Sequence, residues 1–84
     1  MQTVYVLKSE KDHNLYIGCT SDLKNRLDYH NNGRVKSTKN RRPFKLIFSE
    51  VYPDRYEAYR MEKFYKTAPG KRFLKSKIEH CRIV

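Results

Sequence analysis

Two short apolar segments near the start of the chain, joined by a polar connection, most constrain what the chain can fold into. Residues 3–9 (TVYVLKS) and 15–19 (LYIGC) are rich in β-branched and aromatic side chains, which favour strands. The five residues between them, 10–14, are polar. The pattern predicts a β-hairpin, and a connection of this length leaves the register of the two strands open.

The rest of the chain alternates helical and strand patterns. A polar residue at the start and a glycine or proline at the end mark the first two predicted helices. The first predicted helix is capped by Thr20 or Ser21 and stopped by Gly33, and a loop to Pro43 and a strand over 44–52 follow it. The second helix runs from Asp54 to about residue 67 or 68, where Pro69-Gly70 breaks it, and a short helix is predicted over 72–78. The order β-β-α-β-α-α predicts a single α+β domain over residues 1–84, with a three-stranded antiparallel sheet flanked by helices.

The charge of the chain points to an anionic partner. It carries 19 Lys and Arg against 9 Asp and Glu, a formal net charge of +10 on 84 residues. Two stretches, between Tyr29 and Ser49 and between Lys63 and Lys77, contain basic residues and no acid. Such stretches are typical of surfaces that follow a phosphate backbone, and they also occur as solvated surfaces that only aid solubility.

Several classes of protein are excluded by what the sequence lacks. No apolar run approaches the roughly 18–20 residues of a membrane span, so we expect no membrane partner. The first residues do not show the basic-then-apolar pattern of a signal peptide. Cys19 and Cys81 lie far apart and show no metal-binding spacing. Free thiols in a chain without an export signal fit a reducing environment, so we expect a cytoplasmic location. No Cys/His ligand cluster is visible, which argues against a zinc site.

Three features carry candidate chemistry, and each has a plainer alternative. Arg26 and His30 lie four residues apart and therefore share one helix face, where they can bind a phosphate and move a proton, or merely pair with Asp22 and cap the helix. Glu62 can hold Mg²⁺ together with waters and substrate phosphates, or form a surface ion pair with Lys66. Gly18, inside a strand, indicates that another group approaches the backbone closely.

Together these residues resemble the GIY-YIG nuclease superfamily. Tyr16-Ile17-Gly18 stands for the second half of that name and Thr3-Val4-Tyr5 for the first, with ten residues between the two tyrosines. Residues 19–27 resemble the family's helix with its active-site arginine, here Arg26, and His30 follows one turn later. Residues 58–66 resemble the segment with its metal-binding glutamate, here Glu62. The chain is most similar to small stand-alone bacterial members.

The resemblance implies a metal-dependent endonuclease that hydrolyses phosphodiester bonds in DNA, with Mg²⁺ or Mn²⁺ as cofactor and no small-molecule cofactor. It implies that Tyr5 is the general base, assisted by His30, and that Tyr16 positions the phosphate or shares the proton transfer. Arg26 would stabilise phosphate charge and Glu62 would hold the metal. We further expect Arg26, His30 and the metal to favour the phenolate of Tyr5, whose unperturbed pKa is near 10.

The predicted nucleic-acid contacts come from the basic stretches and from Gly18. They are Gly18, Arg34, Lys36, Lys39, Arg41, Arg42, Lys66, Lys71 and Arg72. DNA is the expected partner, with RNA left open. A chain this short leaves no room for a separate targeting domain, so we expect low sequence specificity, with DNA repair or recombination as the processes that the resemblance suggests.

Two departures from the family pattern affect the functional prediction. Thr3 replaces the first glycine of the name, at a position on an outer strand where variation is tolerable. Many active members also carry an asparagine about a dozen residues after the glutamate, whereas this chain has Leu74 there and no asparagine after Asn40. The alternative is therefore a nucleic-acid-binding module with the nuclease fold and little or no cleavage activity.

Overall fold

The structure, a computed structural model, describes residues 1–36 and 38–83, with side chains described up to residue 79. The elements are β1 (Gln2–Ser9), β2 (Leu15–Thr20), α1 (Leu23–Asn31), a 3₁₀ turn (Lys39–Arg41), β3 (Phe44–Tyr52), α2 (Arg55–Tyr65) and α3 (Ala68–Ile83). The predicted order and the α+β class are confirmed. Within the described residues, no helix is both long and apolar enough to cross a membrane. Cys81, predicted to be a free thiol, lies outside the described side chains; Cys19 is free.

The sheet places β1 between its two partners, in the order β2-β1-β3, and both pairings are antiparallel. The β1–β2 register, which the sequence left open, sets Tyr5 opposite Gly18 and Leu7 opposite Tyr16. On the other side of β1, Tyr5 pairs with Ser49 of β3. The first apolar segment is thus the central strand of the sheet, which explains why Val4, Tyr5, Val6 and Leu7 are all buried. The expectation that Thr3 lies on an outer strand is therefore wrong, because Thr3 pairs with a strand on each side.

Successive side chains of β1 point to opposite faces of the sheet, and each face carries its own helices. On one face, Val4 and Val6 pack with residues of α2 and α3. That cluster consists of Val4, Val6, Ile17, Ala58, Tyr65, Leu74 and Ile78. On the other face, which we call the α1 face, Tyr5, Leu7 and Phe44 form the buried cluster and Leu23 and Leu27 of α1 pack against it.

The start of α1 differs from the prediction by one or two residues. Asp22 is the N-cap, and its side chain accepts a hydrogen bond from the backbone N–H of Asn25 at 3.3 Å. Thr20, predicted as a possible cap, instead accepts a hydrogen bond from the N–H of Asp22. At the other end, Gly33 has a φ of +74°, the left-handed conformation that ends a helix, as the sequence predicted.

The last helix is longer than predicted and begins earlier. Pro69 and Gly70 do not break α2, which already ends at Tyr65; they lie in the first turn of α3. Thr67 precedes that turn and accepts a hydrogen bond from the N–H of Gly70. Proline is tolerated at this position because the first N–H groups of a helix have no partner inside it. Gly70 is required because a Cβ there would collide with the carbonyl of Phe64.

Candidate active site

Tyr5 lies at the centre of the α1 face, where its ring crosses directly over Gly18 on the neighbouring strand. A Cβ at position 18 would fall within 3.0 Å of three ring and hydroxyl atoms of Tyr5. The close approach that the sequence predicted for this glycine is therefore made by Tyr5. Gly18 is itself buried, which makes it a packing partner of the site and leaves it out of the phosphate contacts we propose below.

The hydroxyl of Tyr5 meets two groups supplied by α1. Nε2 of His30 lies 3.1 Å from the Tyr5 oxygen, and the Nε of Arg26 donates a longer hydrogen bond to the same oxygen at 3.4 Å. Arg26 and His30 reach one atom because they lie one helical turn apart on the face of α1 that packs on the sheet. The structure thus brings together Tyr5, Arg26 and His30, three of the predicted catalytic residues.

His30 is fully buried among aromatic rings. The ring centroids of Tyr16, Phe44 and Tyr5 lie 4.8, 5.8 and 5.9 Å from that of His30, all in edge-on arrangements. Its second ring nitrogen, Nδ1, lies 2.8 Å from the hydroxyl of Thr38. Burial, together with the charge of Arg26, lowers the pKa of His30 from 6.5 to about 4, so the ring is neutral at physiological pH.

The electrostatics of Tyr5 differ from the prediction. Arg26 does lower the pKa of the hydroxyl, but burial raises it by more, and Tyr16 and Glu62 raise it further, so the pKa of Tyr5 lies above 10. Of the expected influences on the phenolate, that of Arg26 is present, and burial outweighs it in the protein by itself. The resting state is a neutral phenol beside a neutral imidazole, and Tyr5 needs an acceptor for its own proton before it can act as a base.

Tyr16 and Arg26 form the more open side of this cluster. Both are partly exposed, whereas Tyr5 and His30 are buried. The ring of Tyr16 lies 6.3 Å from that of Tyr5, centroid to centroid. The nearby hydroxyl of Tyr5, and after it that of Tyr16, raises the pKa of Arg26, so the guanidinium stays charged. The site therefore presents one fixed cation and one phenol toward solvent, with a buried phenol and imidazole behind them.

Glu62 approaches this group from α2. Its negative charge raises the pKa of Tyr5 on the α1 face and, after burial, that of Cys19 on the opposite face. The helix that carries Glu62, α2, packs on both β1 and β2. The ion pair with Lys66, predicted as the plainer alternative, is also present, with 3.6 Å between Nζ and Oε1.

The donor set of this region suits a divalent cation held in part by the substrate. No group of three or more His, Cys, Asp or Glu side chains that could enclose a metal occurs among the described residues. A single carboxylate is sufficient for Mg²⁺, which keeps several waters and binds substrate phosphates. Because 3.6 Å exceeds hydrogen-bond distance, Lys66 leaves the lone pairs of Glu62 available. Glu62 therefore fits the metal-binding role that the resemblance implies.

Among the basic residues predicted to contact phosphates, all but Arg41 have exposed side chains, and one of these, Lys66, also forms the ion pair with Glu62 described above. The exposed ones are Arg34, Lys36, Lys39, Arg42, Lys66, Lys71 and Arg72. Arg41 differs, because its Nε donates a hydrogen bond to the carboxylate of Asp12 at 3.1 Å and its guanidinium lies 5.7 Å above the ring of Phe44. The acid that the loop itself lacks is supplied by the β1–β2 turn. Arg41 thus anchors the loop.

A second polar cluster, which the sequence did not predict, lies on the face covered by α2 and α3. The carboxylate of Glu50 accepts hydrogen bonds from the hydroxyls of Tyr52 and Tyr65 and from Nζ of Lys77, at 2.7, 2.8 and 2.8 Å. These three bonds outweigh the effect of burial and lower the pKa of Glu50. Lys77, the last residue of the second basic stretch, is therefore engaged inside the fold.

Thr38 is the residue of the α1-face cluster that sequence reasoning missed. It lies in the segment predicted to be a plain basic loop, and no residue pattern marks it. Thr38 is nevertheless completely buried, and its hydroxyl contacts His30. Only the folded position of the loop reveals this contact, because eight residues separate the two side chains in the sequence.

With this geometry in place, the class of protein follows. Residues 1–76 match the family described as the GIY-YIG catalytic domain, and the chain belongs to that family. GIY-YIG domains form a nuclease superfamily, generally dependent on divalent metals, so the chain has a nuclease-type domain. The tyrosines of the name are Tyr5 and Tyr16, which the structure places side by side.

Several proteins similar to this chain are bacterial UPF0213 proteins. One from Streptococcus agalactiae is 44% identical over 64 residues, covering 75% of this chain and 72% of the relative. YazA from Bacillus subtilis is 42% identical over 69 residues, covering 81% and 69%. The solution NMR structure of the UPF0213 protein BH0048 from Bacillus halodurans is similar with a TM-score of 0.57 and 34% identity, covering 90% of this chain and 84% of that one.

Proposed function

We propose that this protein is a divalent-metal-dependent endonuclease that hydrolyses phosphodiester bonds in DNA with low sequence specificity, acting as a single domain over residues 1–84 in the bacterial cytoplasm. One observation carries the proposal. The hydroxyl of Tyr5 contacts a neutral imidazole, His30, on one side and a guanidinium, Arg26, on the other. This places a proton acceptor and a fixed cation at one phenol, as phosphodiester hydrolysis requires.

In the proposed reaction, the attacking water loses its proton to the Tyr5–His30 pair. Tyr5 takes the proton from water as its own proton passes to His30, and the resulting hydroxide forms the new P–O bond. The bond to the leaving nucleotide oxygen breaks, and that oxygen takes a proton from solvent. Because Tyr5 and His30 are buried, the water enters from the side of Tyr16 and Arg26, and Arg26 stabilises the charge that develops on the phosphate.

Glu62 is the residue that would hold the divalent ion, Mg²⁺ or Mn²⁺, in this proposal. When bound, the ion would neutralise phosphate charge and assist departure of the leaving oxygen. Glu62 suits this role because its carboxylate lies close enough to raise the pKa of Tyr5 while Lys66 remains beyond hydrogen-bond distance. The chain's own contribution is thus one ligand, placed on a helix beside the tyrosines.

The exposed cations support the low sequence specificity. Side chains of arginine and lysine that contact phosphates position a nucleic acid without reading its bases. Four of the exposed cations lie in the segment between α1 and β3, namely Arg34, Lys36, Lys39 and Arg42. The other three lie after the end of α2, namely Lys66, Lys71 and Arg72. We propose these seven as the phosphate contacts. Repair or recombination of DNA is the process we propose, because both create structures that a nuclease can recognise by shape.

A second candidate is a binding module that cleaves poorly, and Leu74 favours it. Where many active members carry an asparagine, Leu74 is 2% exposed and packs in the apolar cluster with Val4 and Ile78. An amide is therefore missing at that position, and Lys71, Arg72 and Lys75 are exposed nearby in the sequence. This candidate predicts salt-sensitive binding of nucleic acid without turnover.

The test is cleavage of a panel of duplex, single-stranded and branched DNA and matching RNA with Mg²⁺ or Mn²⁺. We expect DNA cleavage that Glu62→Ala abolishes while binding is retained. Glu57→Ala is the matched control, because Glu57 is an exposed acid of the same helix. Absence of cleavage with any divalent ion, or an active Glu62→Ala protein, would contradict the proposal.

Binding measured at several salt concentrations separates the two candidates from a protein without a nucleic-acid partner. If about five phosphates of duplex DNA are contacted, the slope of log affinity against log salt should be near −4 to −5. A steep slope without cleavage supports the binding module. A flat response removes nucleic acid from the list of partners.

A further inference from the structure

The contact between Thr38 and His30 determines where the proton of the imidazole lies. Thr38 is completely buried in the segment between α1 and β3, and its hydroxyl lies 2.8 Å from Nδ1 of His30. The hydroxyl has only one hydrogen to donate. The hydroxyl also lies 3.4 Å from the backbone carbonyl oxygen of Val35, a group that can only accept a hydrogen bond. A hydroxyl hydrogen directed to that carbonyl leaves Thr38 as an acceptor for His30, an arrangement with the imidazole proton on Nδ1.

The environment of Tyr5 leads independently to the same tautomer. Its oxygen already accepts the N–H of Arg26, and Tyr5 is only 1% exposed, so its hydroxyl hydrogen needs an acceptor inside the protein. Nε2 of His30, at 3.1 Å, supplies that acceptor only if it carries no hydrogen. If Nε2 were protonated, two donors would face the Tyr5 oxygen and its hydroxyl hydrogen would lose this acceptor. No buried side-chain nitrogen or oxygen among the described residues lacks a partner.

We propose that Thr38 is a positioning residue that holds His30 in the Nδ1–H tautomer, so that the free lone pair of Nε2 points at the hydroxyl of Tyr5. The result is a directed chain, Tyr5 to His30 to Thr38 to the carbonyl of Val35, in which every donor has one acceptor. The catalytic meaning of this chain rests on the proposed function, since it makes His30 the acceptor of the Tyr5 proton. The tautomer itself does not depend on cleavage.

The loop that carries Thr38 is held in place by a different residue, which offers a matched control. Ser9, at the end of β1, is buried and donates a hydrogen bond to the backbone carbonyl of Arg41, three residues after Thr38. It also accepts from the N–H groups of Lys11 and Asp12. Ser9→Ala therefore loosens the same loop without removing a hydrogen bond from His30.

The decisive measurement is the ¹⁵N chemical shift of the two ring nitrogens of His30 in the full chain near pH 7. We expect a protonated Nδ1 and an unprotonated Nε2 in the wild type, Thr38→Ser and Ser9→Ala. In Thr38→Val, which keeps the shape but loses the hydroxyl, we expect the population to shift toward Nε2–H. A wild-type ring protonated at Nε2, or no change in Thr38→Val, would overturn the proposal. If Thr38→Val does not fold, the wild-type shifts still decide the tautomer, and Thr38→Ala, which also removes the hydroxyl, decides the role of Thr38.

Cleavage kinetics then test the catalytic meaning of the tautomer. We expect Thr38→Val to lower kcat by about 10- to 100-fold with KM nearly unchanged, the size of effect found for hydrogen-bond partners that orient metal-ligating histidines. Thr38→Ser should recover most of the rate. Ser9→Ala should lower the free energy of unfolding and leave kcat closer to the wild-type value than Thr38→Val does. An unchanged kcat in a Thr38→Val protein whose tautomer has shifted would overturn the positioning role alone. If the wild type does not cleave with any divalent ion, the proposed function fails while the ¹⁵N result still stands.

Discussion

Two buried tyrosines on opposite faces of the sheet use the same side chain for different purposes. Tyr65, from α2, is completely buried and donates to the carboxylate of Glu50, which also binds Lys77. Tyr5, from β1, is 1% exposed, faces neutral His30 and accepts from Arg26. Burial, then the hydrogen bond to Glu50 and the negative charge of that carboxylate raise the pKa of Tyr65 to about 12, so that its proton stays in place.

The difference lies in the charge beside each phenol. A carboxylate stabilises the protonated phenol, and the ammonium of Lys77 closes the cluster so that each charge has a partner. Around Tyr5 the nearest charge is positive and opposes the effect of burial, while the proton has a neutral acceptor. The first arrangement fastens α3 to β3. The arrangement around Tyr5 offers a route for proton transfer, and we therefore propose that the reaction takes place there.

Removing each hydroxyl in turn tests the difference between Tyr5 and Tyr65 most directly, and Tyr5→Phe should have the largest effect. We expect cleavage to fall by about 10²- to 10⁴-fold, the usual contribution of a general base, while the protein stays folded because the ring still packs on Gly18. Single-turnover cleavage and urea unfolding measure the two effects. Wild-type cleavage by Tyr5→Phe would remove this residue from the proposed chemistry.

The pH dependence of the free energy of unfolding tests whether the fold keeps His30 neutral. The unfolded chain takes up a proton at this residue near pH 6.5, whereas folded His30 resists until about pH 4. The unfolded state therefore binds more protons in that window, and the free energy of unfolding falls as the pH falls, by about 3 kcal/mol at pH 4 from this group. Urea unfolding of wild type and His30→Asn from pH 7 to 4 isolates the contribution, since buried or paired carboxylates titrate alike in both.

His13→Asn is the control for that measurement. His13 is exposed in the β1–β2 turn with a φ of +62°, a conformation that asparagine also adopts. We expect its pH dependence to match that of the wild type. Equal slopes for wild type and His30→Asn would mean that His30 is not held neutral by the fold.

Gly18→Ala perturbs Tyr5 without touching its hydrogen-bonding groups. The new methyl group must displace the Tyr5 ring and hydroxyl, and a shift of about 1 Å at a catalytic group costs on the order of 100-fold in rate. Gly33→Ala is the comparison, because it strains a positive φ by about 1–2 kcal/mol and its new methyl group meets Arg42 instead of Tyr5. Since Arg42 is a proposed phosphate contact, we expect Gly33→Ala to lower the melting temperature but keep the rate per folded molecule at saturating DNA. The opposite ranking of the two rates would contradict the assigned position of Tyr5.

Tyr65→Phe should give the smallest and most purely structural effect. Glu50 loses one of three donors and keeps Tyr52 and Lys77, so we expect a loss of about 1–2 kcal/mol in the free energy of unfolding. Cleavage per folded molecule should remain at the wild-type level. A large loss of activity at unchanged stability would show that the two tyrosine clusters are not functionally separate.

Much of this architecture was predictable because strand and helix signals are local. The apolar segments, the Asp54 cap and Gly33 placed five of the elements within a few residues. The prediction failed at Pro69-Gly70, where the deciding factor is the contact of Gly70 with the carbonyl of Phe64, between the start of one helix and the end of another. The site residues were nominated through the family resemblance, and the structure brought Tyr5, Arg26 and His30 into hydrogen-bond contact.

The sequence by itself determined the class of fold, the excess of positive charge and which two tyrosines, Tyr5 and Tyr16, belong to the family motif. These features depend on residue type and short-range spacing. The tertiary structure alone decided the contacts that give those residues their chemistry. They are the pairing of Tyr5 with Gly18, the burial of Thr38 against His30, the capture of Arg41 by Asp12 and the cluster around Glu50. Each joins elements distant in sequence, and the burial that shifts a pKa or fixes a tautomer arises only when those elements pack.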